Sequence, residues 1–167
     1  MTIPNNKQQQ AETLRQMIRT HFAGVSRQGG ISLHQTEVVD ACGSAKAMLT
    51  ALSQDTDSQW IEVQDGWIEQ FGGVGGLVFL DPIGFRYYLP AYMDWFIRKG
   101  ETSNSMSTES LLFSLQRGAI GDTTFDQLFT QAQIDTIIAF LDYVAEHDEW
   151  LGEIAMDASA ALGRWEG

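Results

Sequence analysis

The stretch Leu77–Arg98, LVFLDPIGFRYYLPAYMDWFIR, decides between one long helix and a hairpin that feeds a helix. It carries two of the three prolines of the chain, Pro82 and Pro90. Proline inside a helix removes a hydrogen bond and clashes with the preceding turn, at about 3 kcal/mol, yet it is favoured at the first helical position. The residue before it, Leu89, is pushed towards extended geometry. This reading starts a helix at Pro90 and carries it through Ile97. Asp81-Pro82-Ile83-Gly84 then reads as a β-turn, with proline fixing φ and glycine in the last position. Strands 77–81 and 85–89 flank that turn. Phe85, Tyr87 and Leu89 point one way, Arg86 and Tyr88 the other. Two strands alone are marginal, so helices must cover the hairpin. The expectation is a single α+β domain, mostly helical, with a central β-hairpin at about 77–89.

Working outward, residues 1–7 read as a disordered tail and 8–167 as one globular domain. Ala11, Leu14, Met17, Ile18, Phe22 and Val25 recur at helical spacing. Ser32 with Gln35 matches a capping box and opens a helix over 33–42. Ala45–Leu52 reads as another short helix. Asp55-Thr56-Asp57-Ser58 reads as a turn. Trp60, Val63, Trp67 and Phe71 fall on one helix face. Gly72-Gly73-Val74-Gly75-Gly76 ends it; the cluster lacks the lysine of a phosphate loop and the spacing of a dinucleotide fingerprint, so it reads as a flexible turn. Residues 108–116 fit helix or strand. Thr130 with Gln133 forms a second capping box, with Phe129 and Ile134 placed as a hydrophobic staple, and opens a helix over 131–146. A last helix covers about 149–162, continuous with the former or bent near Asp148.

The chain has 167 residues, 44% of them hydrophobic and 19% charged, with 5 Trp, 4 Tyr and 9 Phe, so it has the material for one packed core. The first residues lack the apolar core of a secretory signal, and no apolar run approaches the roughly 18 residues of a spanning helix. Cys42 is the only cysteine, which excludes an intrachain disulfide and a thiolate metal cage. A cytoplasmic location is the expectation. The net charge is −12, unevenly spread: no lysine or arginine lies between Arg117 and Arg164. Such a surface repels phosphate backbones, so nucleic acid and membrane are not expected partners; a basic protein is.

The block Phe79-Leu80-Asp81-Pro82 with Gly84-Phe85-Arg86-Tyr87-Tyr88-Leu89-Pro90-Ala91-Tyr92-Met93 resembles the core signature of an uncharacterised bacterial domain family. Ser32-Leu33-His34 followed by Asp40, Trp60, Phe129-Thr130 with Gln133, and Phe140-Leu141-Asp142-Tyr143 are similar too. The resemblance spans about residues 20–145. It implies a shared fold and carries no catalytic residue with it.

Three constellations bear on function. His34, Glu37 and Asp40, at steps of three, would share a helix face; three such side chains can hold a divalent ion, but a solvated polar face is the simpler reading, and no metal or other cofactor is expected. Asp81 and Arg86 would meet across the hairpin, beside Tyr87, Tyr88 and Tyr92, where an ion pair stiffens the turn. Arginine beside tyrosines also suits a small anion, so His34, Arg86, Tyr88 and Tyr92 are the candidate ligand-binding set. Cys42, at the end of a Val-Val-x-Ala-Cys face, reads as a small core residue. Asp135, Asp142, Glu146, Glu149, Glu153 and Asp157 form one stripe if their helix is continuous, or two adjacent patches if it bends. With no lysine or arginine interleaved, this stripe is the candidate partner-binding surface.

No serine, cysteine or histidine set composes a catalytic apparatus, so the reading leans away from an enzyme and names no catalytic residue. The function expected is a non-enzymatic protein-binding protein. Its most specific form is an immunity-type inhibitor that neutralises a basic bacterial toxin through the acidic C-terminal helices. The alternative is an enzyme or small-anion-binding protein with a pocket near Arg86, Tyr88 and His34. A structural module of a larger assembly is the third reading.

Overall fold

Asp81 is where the chain commits itself. In the computed structural model, which describes residues 5–163, its Oδ1 accepts the Gly84 amide at 2.9 Å and caps a helix beginning at Pro82. That helix, α5 (Pro82–Lys99), runs straight through Pro90. The segment before it, Gly76–Phe79, is a 3-10 turn. The hairpin expected at 77–89 is therefore replaced by helix. Aspartate followed by proline serves equally as the start of a turn and as an N-cap with proline at N1, and here it is the cap. Burial offsets the cost of Pro90. Phe85, Tyr87, Tyr88, Leu89, Tyr92, Met93, Trp95 and Phe96 are all buried. Each contributes about 1.5–3 kcal/mol, against about 3 kcal/mol for an interior proline.

Around α5 lie α1 (Asn6–His21), α2 (Leu33–Asp40), α3 (Ala45–Leu52), α4 (Asp65–Gln70), α6 (Ser107–Gln116), α7 (Phe125–Leu128), α8 (Gln131–His147) and α9 (Glu149–Gly163). The fold is α+β and mostly helical. Its β-hairpin is a small one, β1 (Ala119–Ile120) against β2 (Thr123–Thr124), paired antiparallel around Gly121, which has φ 57°. Residues 108–116 resolve as helix. Trp60–Phe71 is not one helix but a 3-10 turn (Trp60–Glu62) and α4. The Trp60 indole N–H donates to the Phe22 carbonyl at 3.0 Å, tying that turn to the end of α1.

Helix α1 begins at Asn6 under a capping box of Asn5 and Gln8, and residues 1–4 of the expected tail lie outside the described residues. It crosses α8 antiparallel: Gln10 meets His147 at 2.8 Å, and at the other end Gln133 donates to the His21 carbonyl at 3.0 Å. Thr130 and Gln133 form the expected box at the start of α8. Asp148 breaks the chain, and its Oδ1 accepts the Leu151 amide at 2.8 Å to start α9. Helix α9 packs back along α8 and against α6. Among the described residues no helix is long and apolar enough to cross a membrane.

The glycine run is not a loose turn. Gly75 and Gly76 have φ 73° and 77°, a region that favours glycine. Their amides donate to Asp40 Oδ2 at 3.2 Å and Thr36 Oγ1 at 2.7 Å, which docks the run onto α2.

Candidate functional site

A group of charged and polar side chains gathers where the loop after α1, the start of α2, the segment after α3 and the first turns of α5 converge. The Arg27 guanidinium lies beside the rings of Tyr87 and Tyr88, 5.6 and 5.9 Å from their centroids, within cation–π range. Its Nε is 3.6 Å from Asp57 Oδ2, and its Nη2 donates to the Asp57 carbonyl at 3.3 Å. The Tyr87 hydroxyl donates to the same Oδ2 at 2.7 Å. Burial, then the bond to Asp57, pushes the Tyr87 phenol far above its ordinary range. Burial, then the charges of Asp55 and Asp57, does the same to Tyr88.

His34 sits on the other side of this group. Its backbone amide donates to Asp55 Oδ2 at 3.1 Å and its ring Nδ1 lies 2.7 Å from Asp55 Oδ1. The ring stands edge-on to Trp67 and Phe71, with centroids 5.2 and 5.1 Å away. The side chains of Asp55 and Asp57 are both 0% exposed, which a carboxylate tolerates only with partners such as these. A cavity of about 560 Å³ opens beside Arg27, Asp57 and Tyr87, with Gln35, Met48 and Leu52 on its other walls.

The residues singled out from the sequence are distributed differently from the expectation. His34, Glu37 and Asp40 do not converge: His34 turns inward to Asp55, Asp40 binds the Gly75 amide, and Glu37 is exposed. Asp81 does not pair with Arg86; its Oδ1 accepts the amides of Ile31 and Gly84, both at 2.9 Å. Tyr88 and Tyr92 are 0% and 1% exposed, within the core. Arg86 is half-buried, and the arginine at the cavity is Arg27. Cys42 is not a core residue: it is exposed, with φ 51°, at the turn after α2. Asp55 and Asp57 read in the sequence as turn formers. The one local hint otherwise is that the two acids lie just before Trp60.

All six acids of the expected stripe are exposed. Among the described residues none is paired with a lysine or arginine. Asp135 accepts from Gln131 Nε2 at 2.8 Å, Asp142 from Ser159 Oγ at 3.0 Å, and Glu146 from Gln10 Nε2 at 3.0 Å. The bases of α1 are engaged elsewhere: Lys7 with Glu101, Arg15 with Glu12 and Asp94, Arg19 with Glu12. The bend at Asp148 divides the acids into two sets. Asp135, Asp142 and Glu146 run along the outer ridge of α8. Ser159 touches Asp142, whereas Asp157 is two residues from Ser159 and hence about 160° around α9. Glu149, Glu153 and Asp157 thus turn progressively away from the α8 ridge. Asp142 and Glu146 also line a groove of about 470 Å³ between α1 and α8, whose walls include Leu14, Met17 and Tyr143.

A family model described as "Family of unknown function (DUF6714)" matches residues 10–165, and the chain belongs to that family. Among curated proteins and among solved structures, none matches the chain.

Proposed function

We propose that this DUF6714 member is a non-enzymatic protein-binding protein whose partner is basic and docks on the α8 ridge and the α1–α8 groove. The observation that carries the reading is the carboxylate set Asp135, Asp142 and Glu146, which no lysine or arginine pairs among the described residues and whose hydrogen-bond partners are neutral amides and a hydroxyl. Such a field speeds encounter with a positively charged partner and selects against acidic ones. The groove supplies an anchor point. A lysine or arginine stem fits against Met17 and the Tyr143 ring, while its head reaches Asp142 and Glu146 at the rim. The most specific form of the reading is an immunity-type inhibitor that covers the cationic surface of a bacterial toxin such as a nuclease, in the cytoplasm of the cell it protects.

The test is co-expression with a basic toxin encoded beside this chain. Growth is rescued by the wild-type protein and not by the variant Asp135→Asn, Asp142→Asn, Glu146→Gln. With the purified pair, affinity falls steeply between about 0.05 M and about 0.5 M salt, as expected when an exposed charge field drives association. Equal rescue and equal affinity for wild type and variant would remove the α8 ridge as the docking surface.

A further inference from the structure

Trp150 stands 75% exposed in the first turn of α9. Covering an indole removes about 150–250 Å² from water, and tryptophan is enriched among the residues that carry binding energy at interfaces. Its neighbours on the helix are exposed acids. Glu153, three residues on, lies about 60° around the axis from Trp150, and Asp157, seven residues on, about 20°. No lysine or arginine occurs between Glu149 and Gly163. Ser159, the α9 residue that meets Asp142, lies about 180° around the helix from Trp150, so this face is separate from the α8 ridge. Met156, 62% exposed, sits on the opposite flank of Glu153 and adds a second apolar contact.

Charge decides what covers this face. A second copy of the chain would set Glu149, Glu153 and Asp157 against their own equivalents, and like charges brought together oppose association. A phosphate-bearing surface is repelled in the same way. A cationic partner is attracted, and the indole discriminates among cations. A guanidinium is planar and weakly hydrated; it stacks on an aromatic face while its fork of N–H donors reaches a carboxylate. An ammonium is a compact, strongly hydrated point charge and lacks the plane for stacking. The three-residue step from Trp150 to Glu153 places ring and carboxylate side by side, as one guanidinium requires. The aliphatic stem of a neighbouring basic side chain can lie along Met156.

We propose that this face of α9 docks an arginine-bearing segment of a basic partner, with a guanidinium stacked on the Trp150 indole and paired with Glu153. The inference rests on the reading of a basic partner and adds the residue type that partner presents and a second contact surface. The experiment is an NMR titration of the full chain at low salt, following the Trp150 indole N–H and the backbone amides. The probes are tetra-arginine amide and tetra-lysine amide, which are equal in charge. Saturable shifts are expected at Trp150 and Glu153, with tetra-arginine binding about two- to fivefold more tightly than tetra-lysine. Trp150→Ala removes an exposed side chain and leaves the fold intact; it is expected to bring the two peptides to equal affinity. In Asp135→Asn, Asp142→Asn, Glu146→Gln the shifts on α9 and the arginine preference persist, so failure of the α8 ridge and failure of the α9 face are read separately. The proposal is overturned by equal binding of the two peptides to the wild-type protein, by an arginine preference that survives Trp150→Ala, or by shifts confined to α1 and α8. Concentration-dependent broadening of the Trp150 indole signal without peptide, absent at other sites in Trp150→Ala, would assign the face to a second copy and overturn it too.

Discussion

Gly84 has no room for a side chain. A Cβ there would collide with the Ile31 carbonyl oxygen and come within 2.9 Å of Asp81 Oδ1. The contact is between backbones, so it does not relax by a rotamer change. Gly84→Ala is expected to lower stability by about 1–3 kcal/mol, read from denaturant unfolding. Asp65 makes a second residue-scale case. Arg98 forks onto its carboxylate at 2.9 and 2.7 Å, and Lys99 Nζ lies 2.9 Å away. The bonds from Arg98 above all hold the Asp65 carboxyl down at about 2, below the usual value near 4. A carboxyl depressed by folding adds stability above its unfolded pKa and loses it as pH falls through the folded one. The stability difference between wild type and Asp65→Asn is thus expected to be full above about pH 5 and to shrink towards pH 2, measured by urea unfolding across that range.

At the scale of elements, Asp81 ties the start of α5 to the loop before α2. It caps α5 and fixes the Ile31 amide through one oxygen. Asp81→Ala is expected to cost about 1–3 kcal/mol, the sum of a lost N-cap and a stranded amide. Elements whose signals are local were legible in the sequence: α3 at Ala45–Leu52 and the Thr130–Gln133 box that starts α8; whether the chain bends near Asp148 was open, and the bend there separates α8 from α9. The hairpin at 77–89 was misread because Pro90 is a local penalty, whereas the burial that offsets it comes from helices far away in the chain. The cavity residues were hidden for the same reason. Asp57 is 30 residues from both Arg27 and Tyr87, and Asp55 is 21 from His34, so neither acid has a partner visible in its own segment. On α9, Glu149, Glu153 and Asp157 repeat at steps of four, each step a like-charge pair of about 0.2–0.5 kcal/mol. Glu153→Lys turns two repulsions into attractions and is expected to raise stability by roughly 1–2 kcal/mol, seen as a higher melting temperature at low salt.

For the whole molecule, charge and topology are arranged on different plans. Bases from α1 and α5 offset part of the acidic charge in the first two thirds of the chain, whereas residues 131–163 carry seven acids and no lysine or arginine, so more than half of the net charge of −12 lies on α8, α9 and the bend between them. The core has no such division. Leu14, Ile18 and Phe22 of the first helical segment share one cluster with Ile137, Phe140 and Val144 of α8. A fragment ending at about residue 128 lacks that partner surface, and it is expected to show no cooperative unfolding transition and to bind a hydrophobic dye. During translation the apolar face of α1 emerges more than a hundred residues before α8. At roughly 5–20 residues per second it stays bare for on the order of ten seconds, a clear opportunity for a ribosome-associated chaperone to hold the nascent chain.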